Sequence, residues 1–187
     1  MSRIAVATLD GGAGKTAVAF SIAKDLDYYL ISNDDSIIEI AYPNGAKIMK
    51  NPKVIDDVVY DFGGFVDVGV INIIKECDLV IVPVINDLNS KMKAIKTISQ
   101  LQEQNNSFLV VATRLENTKD LEEIEESIKK SFPKIPILPL RKTKIFKNAL
   151  EFGMSPLELE ADSKQVAYTQ RNILKEYKKV LNFVKGF

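Results

Sequence analysis

The sequence contains no histidine and only one cysteine, Cys77, among its 187 residues. Without imidazole, histidine-dependent nucleophilic catalysis and histidine-based metal sites have nothing to build on, and a lone thiol cannot close an internal disulfide. Serine-protease, papain-like and zinc chemistries are excluded on that ground. Long apolar runs are also missing, since no stretch approaches the ~20 residues that a membrane-spanning helix needs. The chain starts Met-Ser-Arg-Ile-Ala-Val and meets a glycine-rich turn almost at once, too early and too polar for a signal peptide. These absences predict a cytoplasmic protein. Cys77 reads as a small buried hydrophobe at the entry to a strand. No repeat, low-complexity tract or linker is visible, which predicts a single domain over 1–187.

Net charge is absent too: 25 basic residues balance 25 acidic ones. The balance conceals a gradient, from 7 basic and 13 acidic residues in 1–90 to 10 basic and 5 acidic in 141–187. Any contact with a polyanion is therefore expected near the C-terminus. What the chain does have is a 46% hydrophobic content, enough for a sizeable core.

Short apolar runs alternate with segments of helical period. Ile4–Leu9, Tyr28–Ile31, Val58–Tyr60, Leu79–Val84, Phe108–Ala112 and Ile137–Leu140 read as strands, several apolar on both faces. Such strands belong to a parallel sheet covered by helices on each side. The intervening helical patterns are Lys15–Leu26, Phe65–Glu76, Asp87–Gln104, Thr118–Phe132 and Lys142–Phe152. The fold class is α/β, a three-layer sandwich around a mostly parallel sheet. Ser155-Pro156-Leu157-Glu158 has the spacing of a capping box and predicts a short helix, with a final helix from about Asp162 to Val184. Pro43-Asn44-Gly45 suggests a hairpin within the otherwise uncertain Ser36–Lys53 stretch.

Between the first strand and the first helix lies Leu9-Asp10-Gly11-Gly12-Ala13-Gly14-Lys15-Thr16-Ala17. In that context the glycines let backbone N–H groups curl around an anion, the helix N-terminus adds partial positive charge, and Lys15 can reach β- and γ-phosphates. The Thr16 hydroxyl can hold Mg²⁺. The ordinary phosphate loop has its first glycine five residues before the Gly-Lys pair, where this chain has Leu9.

The pattern resembles the deviant Walker A motif, x-K-G-G-x-G-K-[ST], of the ParA/MinD family of P-loop ATPases. Val58-Val59-Tyr60-Asp61 is similar to that family's Walker B strand, with Phe62-Gly63-Gly64 at its second switch. Glu76–Val84 and the segment Leu138–Glu160 are similar to its proline-ended strand and its C-terminal segment. The resemblance implies a P-loop NTPase fold that binds ATP or ADP with Mg²⁺ through residues 10–17, with Thr16 and Asp61 organising the metal. It makes Lys15, Asp34 and Asp61 the catalytic set, Asp34 orienting the attacking water, and it places the base against Thr113-Arg114 and Pro139-Leu140-Arg141. Plainer readings exist for several of these residues. Asp61 is also a good helix cap, Asn33-Asp34-Asp35 also an ordinary polar turn, and the arginines also ordinary surface residues.

One position departs from the motif. The family's signature lysine, which contacts phosphates in the partner subunit of a nucleotide sandwich dimer, corresponds here to Asp10. A carboxylate about 4 Å from a phosphate oxygen is repelled by roughly 4 kcal/mol at an effective dielectric of 20. Asp10 must therefore point away, act through Mg²⁺ or water, or oppose closure. Slow or partner-activated hydrolysis follows, in an ATP-dependent switch for plasmid partition, conjugative transfer or intracellular positioning. A nucleotide-sensing regulator without useful turnover is the alternative. A small amidoligase resembling dethiobiotin or cobyrinic acid amide synthases would need a substrate-carboxylate site that the sequence does not display.

The resemblance also implies a nucleotide-dependent homodimer, a partner protein, and contact with nonspecific DNA, or less readily with membrane, through basic C-terminal elements. Lys175, Lys178, Lys179 and Lys185 lie outside the apolar stripe Ile173, Leu174, Tyr177, Val180, Leu181 and Val184, with Lys142, Lys144 and Lys147 on the preceding helix. The bland reading is a docked helix with a solvated basic face.

Overall fold

The computed structural model describes residues 2–63, 68–104 and 107–187. Its strands are β1 (Arg3–Thr8), β2 (Tyr29–Ser32), β3 (Ala46–Ile48), β4 (Val58–Gly63), β5 (Leu79–Val84), β6 (Ser107–Leu115) and β7 (Ile137–Arg141). The helices are α1 (Lys15–Leu26), α2 (Ile38–Ala41), α3 (Val68–Lys75), α4 (Leu88–Leu101), α5 (Thr118–Lys129), α6 (Ile145–Phe152), α7 (Pro156–Asp162), α8 (Lys164–Thr169) and α9 (Arg171–Val184). Among the described residues the strands form one sheet in the order β3-β2-β4-β1-β5-β6-β7. Every adjacent pair is parallel, so the sheet is wholly rather than mostly parallel there.

Alternate residues of the central strands feed two separate cores. Ile4, Val6, Val59, Leu79, Ile81, Leu109 and Val111 pack with the apolar faces of α1, α6 and α9. Ala5, Ala7, Tyr60, Val80, Val82 and Val110 pack instead with α3, α4 and α5. The double burial is why these runs are apolar without alternation. β1 lies between β4 and β5 while its own chain continues toward β2, so the order of the strands reverses beside β1. Parallel sheets of this kind bind ligands outside the carboxyl ends of the strands at such a reversal.

Three expectations need correction. Pro43-Asn44-Gly45 does not turn a hairpin: Gly45 and Ala46 donate to the Tyr42 carbonyl at 3.1 and 2.8 Å, closing a turn after α2, and β3 then runs parallel to β2. Gly45 is packed beneath the Tyr42 ring, where a Cβ has no room. The predicted final helix is two helices broken at Gln170. The Gln170 side chain accepts a hydrogen bond from Thr143 at 2.8 Å, and Ser163 caps α8 separately by accepting from Val166. Finally, α6 starts at Ile145 rather than Lys142, because Lys142 still donates to the Leu115 carbonyl and Thr143 accepts from the Ile145 amide. The predicted helix from Phe65 is described only from Val68, and Phe65 lies outside the described residues.

The capping box at Ser155 forms as predicted, with both reciprocal bonds. The apolar stripe of α9 is buried at Leu174, Tyr177, Val180, Leu181 and Val184, leaving its lysines exposed. Cys77 is buried, and burial pushes its thiol up to about 12, as expected of a structural cysteine. Among the described residues no helix is long and apolar enough to cross a membrane.

Asp25 staples α1 to the C-terminal helices: it accepts from the Tyr177 hydroxyl at 2.7 Å and pairs closely with the Ser155 hydroxyl. Desolvation raises its carboxyl above the usual range, against the opposing pull of those two hydrogen bonds. A carboxyl raised in the folded state contributes stability that is complete below its unfolded value and lost as pH rises through its folded value. Asp25→Asn should therefore remove a stability loss that the wild-type chain shows as pH climbs from about 4. Urea unfolding of both proteins across that window checks it; a wild-type-to-variant difference that is constant with pH contradicts it.

Candidate functional site

β1 delivers the loop Leu9–Gly14 to the carboxyl edge of the sheet, and α1 carries it back. Gly14 occupies the N-cap of α1 at φ +79°, a left-handed conformation that a side chain would strain. Among the described residues no side chain caps this helix. Asp87, Asn117 and Ser155 cap α4, α5 and α7 by accepting from backbone amides, whereas α6 and α9 likewise start without a side-chain cap. The first-turn N–H groups of α1 are thus left for an external acceptor, and no acidic residue occupies that turn. A Cβ at Gly11 or Gly12 would meet nothing within 4 Å, so both backbones border open space.

That space is a cleft of about 380 Å³, lined by Asp10, Gly11, Gly12, Gly14, Lys15, Thr16 and Ala17, with Asp34, Gly63 and Arg114 across from them. Sequence reasoning had assigned all of these but Gly63 to the site. Of the rest of the expected second switch, Phe62 is buried in β4 and Gly64 lies outside the described residues. Beneath the cleft Lys15 extends its ammonium to Asp61 Oδ1 at 2.9 Å. Asp61 is fully buried within β4 and the Lys15 side chain is only 9% exposed. Lys15 therefore rests on a carboxylate rather than reaching outward, and the segment after Gly64 that Asp61 could cap begins outside the described residues.

Asp34 comes to the cleft through Ser32 and Asn33. The Ser32 hydroxyl accepts from the Asp34 amide at 3.1 Å and donates to Asp61 Oδ2 at 3.3 Å. Asn33 grips Gly63 from both sides, accepting from its amide at 2.9 Å and donating to its carbonyl at 3.1 Å. The Asp34 carboxylate lies over Gly63 where a Cβ would otherwise stand. Asp35, its neighbour in sequence, lines no part of the cleft.

A second cavity of about 110 Å³ adjoins the first behind the loop. Ala13, Ala17, Arg114, Leu140, Arg141 and Phe146 line it, so most of the residues expected near a base converge there. Pro139 does not line it; it sits one residue back in β7, paired with Ala112. Arg114 stands between the two cavities at φ +56°, where the register of β6 against β7 slips between Ala112 and Leu115. An irregularity of this kind re-aims a side chain at a sheet edge. Arg141 is held by Glu176 of α9, Nε to Oε1 3.1 Å. Thr113 was not singled out as a loop anchor, yet its buried hydroxyl donates to the Ala13 carbonyl at 2.9 Å and fixes the loop to β6.

Set against known proteins, this arrangement has clear structural relatives. Apo McdA of Cyanothece superposes with a TM-score of 0.73 at 16% identity, over 98% of this chain and 99% of that one. The septum site-determining protein MinD of Pyrococcus horikoshii, complexed with Mg-ADP, gives 0.63 at 10% identity over 96% and 95%. A putative plasmid partition protein of Borrelia burgdorferi bound to AMPPNP gives 0.63 at 17% identity over 95% and 98%. The chain has a ParA/MinD-like fold. No protein-family model and no curated protein sequence matches it. At these identities the likeness concerns the ParA/MinD-like fold alone, and the chemistry must be argued from this chain's own residues.

Those residues suit a Mg-nucleotide. Oxygen donors around the loop include Thr8, Thr16, Asp10 and Asp34 in the cleft wall and, beneath it, the Asp61 carboxylate paired with Lys15. Among the described residues no cluster of three or more Asp, Glu, Cys or His side chains could hold a metal ion. Mg²⁺ is characteristically held by one or two protein oxygens, with phosphate oxygens and water completing the shell.

Proposed function

We propose that this chain is a ParA/MinD-type nucleotide switch: it binds ATP or ADP with Mg²⁺ at residues 10–17 and hydrolyses ATP slowly or on a partner's signal. The observation that carries the reading is the uncapped start of α1 facing a glycine-walled cleft, with Lys15 stored on Asp61 beneath it. A triphosphate supplies the acceptor that those amides lack, and it draws the Lys15 ammonium from Asp61 toward its own oxygens. Mg²⁺, held by Thr16 and by Asp61 through water, would neutralise charge on the phosphate oxygens. Asp34, fixed over Gly63 by Ser32 and Asn33, positions the attacking water. Arg114 and Arg141, with Phe146 and Leu140, frame the adjoining cavity for the base. The task fitting this chemistry is positioning of DNA or another cargo in the cytoplasm, with nucleotide-dependent pairing of two copies.

A second reading is favoured by one specific feature. Asp10 puts a carboxylate in the cleft wall, which suits a sensor that binds nucleotide without useful turnover. The basic C-terminal surface is the proposed DNA contact. Part of it is already neutralised, Lys178 by Glu160 at 2.8 Å and Lys142 by Glu116 at 2.6 Å, leaving Lys175, Lys179 and Lys185 of the α9 region exposed. Phosphate release with and without nonspecific DNA separates the readings. Turnover that DNA accelerates and Lys15→Ala abolishes supports the switch; tight ATP binding with no release under either condition supports the sensor.

A further inference from the structure

Asp10 is an odd neighbour for a polyanion. It lines the cleft, its side chain is only 11% exposed, and its Oδ2 is buried without a hydrogen-bond partner among the described residues. The other oxygen, Oδ1, lies 3.7 Å from the ammonium of Lys93, too far for a hydrogen bond but close enough for an ion pair. Lys93 comes from α4, on the opposite face of the sheet from α1. One turn further along, Thr97 accepts from the Leu9 amide at 3.4 Å. Helix α4 thus contacts two successive residues of the loop, one through a hydroxyl and one through a charge.

The charges around the cleft give that contact a consequence. Lys15 is matched by Asp61. Among the described residues, the other charged side chains in the wall are Arg114, Asp10 and Asp34, which leaves one carboxylate in excess. Lys93 supplies the missing positive charge from just outside the lining. We infer that Lys93 is a positioning residue for nucleotide binding, which neutralises Asp10 and so lets a polyphosphate approach a loop that otherwise carries a bare carboxylate. The inference rests on the nucleotide reading above and adds a residue to it. It also predicts a dependence on ligand charge, because repulsion from an unpaired Asp10 grows with the number of phosphates while a misshapen loop does not discriminate among them.

The test is calorimetric titration of the full chain at fixed ionic strength with ATP, ADP and AMP. It compares wild type, Lys93→Met, Asp10→Asn and the double variant. Lys93→Met keeps most of the lysine stem, and the lysine is 35% exposed, so the fold should tolerate the change. We expect Lys93→Met to weaken ATP by about tenfold or more, ADP by less, and AMP by no more than about twofold. Adding Asp10→Asn should restore most of the ATP affinity, and Asp10→Asn alone should tighten ATP. Equal loss for all three nucleotides, or no rescue, overturns the inference. So does unchanged ATP affinity in both single variants, while leaving the site reading intact. Failure of the wild-type chain to bind ATP removes both. Should Lys93→Met not fold, the Asp10→Asn titration decides alone, since ATP affinity that does not rise contradicts the account.

Discussion

Lys15→Met should lower ATP affinity by one to two orders of magnitude and also make the protein markedly less stable. The first effect follows from removing a charge-assisted contact to phosphate, worth about 1.5–3 kcal/mol. The second follows from the ligand-free geometry, in which the Lys15 ammonium lies 2.9 Å from a fully buried Asp61. Deleting one partner of a buried ion pair leaves an uncompensated charge and costs about 3–5 kcal/mol, which for a chain of this size lowers Tm by roughly 6–20 °C. The double variant Lys15→Met/Asp61→Asn separates the two roles. It should recover most of the lost Tm, because the Ser32 hydroxyl can still donate to the amide oxygen at position 61, but it should recover no ATP affinity. Thermal unfolding and calorimetry on the same three proteins make the comparison. A single variant as stable as the wild type would mean that the pair is not held as described.

Asp34→Ala should slow ATP hydrolysis by about 10²–10⁴-fold while leaving ATP binding no weaker, the pattern expected when a water-positioning group is lost but the phosphate cradle is kept. The prediction comes from where the carboxylate is tethered. Ser32 fixes its backbone, Asn33 locks the adjacent turn to Gly63, and the carboxylate itself occupies the space above Gly63. Gly63→Ala should therefore produce a milder version of the same defect, because the new methyl group displaces the Asp34 carboxylate without altering its chemistry. Single-turnover hydrolysis with saturating ATP reads both. Turnover unchanged in Asp34→Ala would reduce Asn33-Asp34-Asp35 to the polar turn that the sequence equally allows.

Legibility in the sequence followed the range of the interactions. Local patterns were readable: the doubly apolar runs of β1, β5 and β6, the loop into α1, and the capping box at Ser155 each carry their signal within a few consecutive residues. β3 was not readable, because three residues, Ala46–Ile48, become a strand only by pairing with β2 across α2. The break at Gln170 depends on Thr143, distant in sequence, and nothing in the helical period of 164–184 announces it.

The site divides the same way. Lys15, Thr16 and the glycines stand in one motif, whereas Thr113 reaches Ala13 across 100 positions and Lys93 reaches Asp10 from a helix on the other side of the sheet. The strands converging on one edge bring these groups together. Asp10 shows the limit most clearly: its sequence position indicates only that a negative charge faces the phosphate loop, and the fold supplies the cation beside it. Asp61 makes the same point, since nothing local in the sequence announces that its carboxylate is buried within β4 against Lys15.

The central claim is that the loop at residues 10–17 grips the phosphates of a nucleotide, and titration of Mg-ATP into the intact wild-type chain tests it most directly. One nucleotide per chain, with affinity one to two orders of magnitude weaker in Lys15→Met/Asp61→Asn although that variant remains folded, is the predicted result. An absence of heat at millimolar Mg-ATP, or binding that persists undiminished without Lys15, would contradict it.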